Sequence, residues 1–250
     1  MTASAEGLRE TLDLADWRRR VAGLYAEIRR LSEADVPAAL ALWRSTREAL
    51  YREHPSSPLP VDRRAAFRAS HFDHDPTLRF EVTVEPGAAA DPRPSTAAPI
   101  WSSGGGPSPF ESAGVPAIDF ARAAAVELPV SAGGSMSFRR IGSVSVPFAE
   151  GPRRLGVFWM AGYAGGIFIP FRDATNGETT YGAGRYLVDG AKAADLGAAP
   201  GPEPSNWALI LDFNFAFQPS CAFDPRWACP LAPPENRLEI AIRAGERSDH

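Results

Sequence analysis

The spacing of apolar residues changes period once along this chain. Leu14, Trp17, Val21, Leu24, Ile28 and Leu31 recur every three or four positions, which makes one stripe on an amphipathic helix. The spacing predicts a helix from a cap at Asp13 to about Leu31, with residues 1–12 frayed ahead of it. Arg18, Arg19, Arg20, Arg29 and Arg30 lie off the stripe and read as a solvated face. Ser32 is a good cap for a second helix, with Glu33 and Asp35 in its first turn and Pro37 early enough to be tolerated. Val36, Leu40, Trp43, Leu50 and Tyr51 give that helix its apolar side, to about His54. The prolines of HPSSPLP then stop it, and a short third helix is predicted over Asp62 to Ala69, with Phe67 inward.

From Leu78 onward the period is two. Strands are predicted over Leu78–Val84, Ala121–Pro129, Ser135–Ile141 and Ser143–Phe148, the last two bent at Gly142. Arg153–Met160 pairs with the preceding strand across the hairpin turn AEGP. Ile167–Phe171, Thr179–Val188, Trp207–Phe215 and Leu238–Arg243 complete the set. Many short strands with glycine-rich turns, and no alternation of strand and helix, predict a mainly β fold: an antiparallel barrel or sandwich with an N-terminal helical module. The expected division is a helical module over 1–75 and a β domain over 76–250. Residues 86–118 are dominated by Pro, Gly, Ala and Ser and read as a disordered insertion, because such a segment has little to bury.

The polar residues of the last third suggest a site. If Trp207 to Gln218 is one strand, Asp212, Asn214 and Gln218 share the face opposite Leu209, Leu211, Phe213, Phe215 and Phe217. Arg185, in the neighbouring GRY segment, is a bidentate partner either for Asp212 or for an anionic ligand. Asp173 opens the turn of FRDATNGETTY, where it and Thr175 can satisfy backbone amides while Gly177 supplies the positive φ. A carboxylate at a pocket mouth is the other reading of Asp173. Tyr181 stands near the same rim, and the prolyl segment PLAPPENRL fixes Glu235 and Asn236. Glu235 and Asp212 are candidates for a carboxylate pair in general acid–base work. Cys221 and Cys229, with seven residues between them, are no metal set and no CxxC redox motif. They read as neighbouring buried thiols, with a disulfide as the alternative.

Composition narrows the function classes. The 250 residues are 44% hydrophobic, enough for a core, and carry a formal net charge of −4. That balance argues against nucleic acid and anionic membranes as partners. No apolar run reaches the length of a membrane span and no signal-peptide core is present, so a cytoplasmic protein is expected. The glycines of GYAGG and YGAG open no helix, so no dinucleotide cofactor is implied, and no GxSxG elbow occurs. The two histidines of HFDHD read as part of a polar turn. Lys192, the one lysine, sits among Gly, Ala and Asp and reads as solvent-exposed and mobile, unsuited to Schiff-base chemistry.

The segments PFRDATNGETTYGAGRYL, LDFNFAFQPSCAFDPRWACPLAPPENRL and AGER resemble the DUF1684 family, bacterial proteins of uncharacterised function. The likeness runs from about Phe138 to Arg247, with fainter echoes in HPSSPLP, RRAAF and LRFEV. Asp173, Thr175, Gly177, Thr180, Tyr181, Gly184, Arg185, Tyr186 and Leu187 match the family's DxTxGxxTYxxGRYL segment. Asp212, Phe213, Asn214, Ala216, Pro219, Cys221 and Ala222 match a second segment, and Cys229, Pro230, Leu231, Pro233, Pro234, Glu235 and Asn236 fit a third with small differences. Phe217 and Phe223 stand where the family has tyrosines, and Gln218 where it has asparagine. The resemblance implies a shared β fold and a shared site, but no reaction.

The residues therefore frame a first function: a pocket for a small polar or anionic ligand, built from Arg185, Asp212, Asn214 and Glu235 with Asp173 and Tyr181 at its rim. The alternative is a structural or protein-interaction domain in which the same groups are internal ties. A hydrolytic enzyme using paired carboxylates is the variant of the first.

Overall fold

The computed structural model describes residues 4–87, 123–160, 165–200 and 207–248. Helix α1 spans Ala5–Ser32 and starts earlier than its apolar stripe, because Ser4 Oγ accepts the amide of Gly7 at 3.1 Å and caps it. Asp13, expected as the cap, lies inside the helix. Helix α2 spans Val36–Glu53, and its cap is Asp35, not Ser32: the Asp35 carboxylate accepts the Ala38 amide at 2.9 Å. The third helix, α3, is one turn only, Val61–Arg64.

Among the described residues eleven strands follow: β1 (Ser70–His71), β2 (Arg79–Thr83), β3 (Glu85–Pro86), β4 (Ala124–Pro129), β5 (Ser135–Phe148), β6 (Gly151–Met160), β7 (Ile167–Phe171), β8 (Arg185–Asp189), β9 (Ala198–Pro200), β10 (Trp207–Asp212) and β11 (Glu246–Arg247). They form antiparallel sheets that do not close into a barrel, a sandwich arrangement. One sheet has the order β3-β5-β6-β7-β8, with β4 also paired to β5; a second has β2-β10-β9; β1 and β11 pair alone. The hairpin β5–β6 and the bend in β5 are as the sequence predicts: the register shifts between Arg140 and Gly142. Most of the low-complexity stretch, from residue 88 onward, lies outside the described residues.

Three predicted strands are corrected. Residues 179–184 are turn, and only Arg185–Asp189 is strand. Gly184 holds φ +102, and a Cβ there would stand 2.5 Å from the Phe171 carbonyl oxygen, so the chain cannot extend before Arg185. The strand from Trp207 ends at Asp212, where the Asp212 carboxylate accepts the Asn214 amide at 2.9 Å and turns Phe213–Phe215 into a 3-10 helix. Phe213, Asn214 and Phe215 are consequently all buried instead of alternating. Leu238–Arg243 forms no strand.

Among the described residues the two larger apolar clusters organise the interior. Val82, Val144, Val146, Leu155, Val157, Ile169, Phe171, Leu187 and Leu211 belong to one, shared by the two larger sheets. Leu24, Tyr25, Ile28, Leu40 and Trp43 of the helices pack with Phe138, Phe158, Phe168, Tyr186, Phe215 and Phe217 in the other. Strand β8 lies between them and is buried at all five positions, as a strand covered on both faces must be.

Candidate functional site

The double burial of β8 decides the role of Arg185. Its guanidinium is completely shielded from solvent and donates through Nη2 to Asp173 Oδ2 at 2.7 Å. Nη2 also reaches the Ile242 carbonyl at 2.8 Å; Nη1 donates to the carbonyls of Ala244 and Glu246. The Phe171 ring lies 5.1 Å from its centre. Asp173 completes the tie by accepting the amide and hydroxyl of Thr175, and Gly177 holds φ +84 in that turn. Arg185 therefore pairs with Asp173, not with Asp212.

The other sequence-predicted residues are dispersed. Asp212 is buried and accepts the Asn214 amide nitrogens; Arg79 lies 3.4 Å away. Burial pushes the Asp212 carboxyl up, opposed by Asn214 and Arg79. Asn214 reaches on to clamp the Asp75 backbone, accepting its amide at 2.9 Å and donating to its carbonyl at 2.8 Å. Glu235 forms a two-pronged ion pair with Arg140 at the surface. The structure thus gives Asp212 and Glu235 separate arginines and does not join them as an acid–base pair. Tyr181 packs against the apolar cluster that includes Cys221 and Cys229. The cysteines are close, as expected: the Cys221 amide donates to Cys229 Sγ at 3.3 Å.

A cavity of about 220 Å³ opens elsewhere, between the helices and the sheet. None of the six predicted residues lines it. Its walls are aromatic: Trp17 and Tyr25 from α1, Tyr51 from α2, and Phe217 and Trp227 from the segment after β10. Every charged side chain that lines it is a cation, namely Arg18, Arg47 and Lys192. Arg47 Nε and Nη2 are held by Glu246, and Nη2 also by the Gln218 carbonyl at 3.2 Å. Nη1 is left without a protein partner among the described residues. The Tyr51 and Phe217 rings flank the guanidinium at 4.6 and 4.8 Å, a cation–π enclosure. Burial works against the Arg47 charge, but Glu246 and the surrounding groups outweigh it and raise its pKa, so it stays protonated. Lys192 is half-exposed, and its ammonium is held 2.8 Å from Asp189 instead of moving freely.

Sequence reasoning missed this cavity, yet two signals pointed to it. Trp43, Arg47 and Tyr51 are spaced by four, which places Arg47 on the buried stripe of α2, where an unpaired charge is not tolerated. The other is Lys192, the one lysine in the chain, which sits on the cavity wall.

The sequence matches the family described as "Protein of unknown function (DUF1684)" over residues 109–247, more than half of the chain. The chain belongs to the DUF1684 family. A solution NMR structure of an uncharacterized protein from the archaeon Haloarcula marismortui is similar to this DUF1684 protein, with 28% identity and a TM-score of 0.55. The match covers 87% of this chain and 97% of the archaeal one. No curated protein matches the chain. Within this DUF1684 protein, the family segments supply the Arg185–Asp173 tie, the Asp212–Asn214 clamp and the cysteine turn. The helices supply Arg18, Arg47 and most of the aromatic wall. No described helix is long and apolar enough to cross a membrane.

Proposed function

We propose that this protein binds a small anionic ligand, a single-ring carboxylate or a compound of similar size, in the cavity between the helices and the sheet. The observation that carries the reading is the lining: three cations, no carboxylate, and a surround of aromatic rings. The carboxylates that neutralise Arg47 and Lys192 stand behind them, at Glu246 and Asp189. Positive charge is thereby presented inward, where partial desolvation strengthens its attraction for an anion. The volume, about 220 Å³, is that of about seven waters and smaller than the usual pocket for a drug-sized ligand. It selects a compact, flat compound that can stack on Trp17 or Trp227. In this reading the protein works in the cytoplasm, and Arg185, Asp173, Asp212, Asn214 and Glu235 act as internal ties that hold the scaffold.

Calorimetric titration with benzoate-sized acids and their neutral amides tests the reading. The acids should bind, and the amides about tenfold more weakly, a difference of about 1.4 kcal/mol. Arg18→Ala and Lys192→Gln should each weaken the acids while leaving the amides unchanged. Equal binding of acid and amide, or binding that ignores both substitutions, would remove the anionic reading.

A further inference from the structure

The inner wall of the cavity holds hydrogen-bond donors that nothing in the protein accepts. Tyr51 has only 3% of its surface exposed. Its hydroxyl meets no partner among the described residues, yet it is not sealed off from the cavity that Tyr51 lines. The Tyr25 hydroxyl accepts the Trp43 indole N–H at 3.1 Å, and its own proton goes to no acceptor among those residues. Arg47 Nη1 is the third donor left over, since Glu246 and the Gln218 carbonyl hold Nε and Nη2. Burial pushes both phenols up, so both keep their protons. Carbonyls in the wall are already engaged. Pro58 accepts the Trp227 indole N–H at 3.1 Å, and Cys229 the Ser131 amide at 2.9 Å. Buried donors without acceptors are costly, and a bound molecule that brings acceptors relieves that cost.

Charge distinguishes the mouth from the interior. Arg18 and Lys192 are exposed, whereas the Arg47 side chain is only 14% exposed. Asp16 is taken by Arg19 and Arg20, and Arg18 makes no ion pair among the described residues. Three cations on the wall less two carboxylates behind it, Glu246 and Asp189, leave one positive charge. That suits one carboxylate at the mouth, where it keeps most of its hydration. A second carboxylate pushed inward would be desolvated with no counter-charge left for it. A neutral carbonyl is cheaper to desolvate and still accepts from Tyr51, Tyr25 and Arg47. Arg18 and Tyr25 are separated by two turns of α1, about 10 Å along its axis, which leaves room for a ring with a group at each end.

We infer that the ligand is an aromatic monocarboxylate carrying a neutral carbonyl on the far side of its ring, and that the Tyr51 hydroxyl selects that carbonyl. The inference rests on the anionic-ligand reading and narrows it: the carboxylate faces Arg18 and Lys192, and the carbonyl faces the buried donors.

The test titrates the full-length chain calorimetrically with benzoate, 4-acetylbenzoate, 4-isopropylbenzoate and terephthalate. The isopropyl group has nearly the shape of the acetyl group but no acceptor. The acetyl compound should bind about tenfold more tightly than the isopropyl compound, and terephthalate more weakly than the acetyl compound. Tyr51→Phe should cut the acetyl preference at least about threefold and leave benzoate unchanged. That variant leaves no protein group unpaired, because the hydroxyl has no partner to lose, so it should fold as the parent does. Equal affinity for the acetyl and isopropyl compounds in the parent protein would overturn the inference. So would terephthalate binding as tightly as the acetyl compound, or an acetyl preference left whole by Tyr51→Phe. Benzoate separates the two levels of failure. If it binds more tightly than benzamide, the anionic-ligand reading stands whatever the 4-substituents do; if it does not, both fall. The comparisons on the parent protein decide the matter even if the variant is lost.

Discussion

Arg185 and Asp173 meet at 2.7 Å with neither side chain exposed to solvent. The guanidinium also holds three backbone carbonyls, those of Ile242, Ala244 and Glu246. It therefore ties β8, the 173–181 turn and the C-terminal segment to one another. An ion pair this deep costs desolvation on both sides, and its worth lies in what happens when one partner is removed.

Arg185→Met should lower the unfolding free energy by about 3–5 kcal/mol, because Asp173 is left buried without a counter-charge. Arg185→Lys should recover little, since one ammonium cannot serve a carboxylate and three carbonyls in the geometry of a planar fork. Urea unfolding of the three proteins measures this. A Met variant within about 1 kcal/mol of the parent, the range of a surface pair, would show that the tie is not structural.

Asn236 offers a second tie of a different kind. Its side chain accepts the Gly156 amide at 2.6 Å and donates to the carbonyls of Gly156 and Pro170 at 3.0 and 2.7 Å. It thus stands in for strand pairing between β6 and β7 where their ladder has ended. Asn236→Ala leaves these buried backbone groups unpaired and should cost about 2–4 kcal/mol. Hydrogen exchange at the Gly156 amide should quicken by more than that at Val157. Unchanged protection at Gly156 would mean that another partner takes over.

Much of the fold was legible because its signals are local. The run IFIPF after the pair Gly165–Gly166 gave β7 its full extent, and Gly142 marked the bend of β5. The end of β10 was not legible. In LDFNFAFQ a period-two strand and an Asp-capped turn space the aromatics alike, and only the Asp212–Asn214 hydrogen bond distinguishes them. The partner of Arg185 was hidden for another reason. Asp173 and Asp212 both lie on neighbouring segments, and tertiary packing chooses between them. The cavity was the least visible, since its lining comes from α1, α2, the 56–58 segment, the 192–194 segment and the 217–229 segment, which no local period relates.

His71 provides a pH-dependent term in stability. Its ring packs edge-on against Trp43 at 5.5 Å, and its Nε2 is buried without a hydrogen-bond partner. Burial disfavours the imidazolium, with Arg44 and Arg47 adding repulsion and Glu246 and Glu48 opposing it; the pKa falls from 6.5 to about 4. The folded state thus binds a proton less readily than the unfolded chain. Between those two values the unfolded chain carries more protons, so stability must rise with pH there. The contribution is complete above pH 6.5 and is lost as pH falls toward 4. Allowing for partial exposure of the ring, the loss is on the order of 2 kcal/mol. Urea unfolding at pH 7 and pH 4.5 should show it in the parent protein. The parent and His71→Phe, which keeps the ring and removes the proton site, should then differ in pH slope by about that amount. Parallel slopes would mean that His71 titrates alike in both states, and the acid sensitivity would have to be sought in the carboxylates.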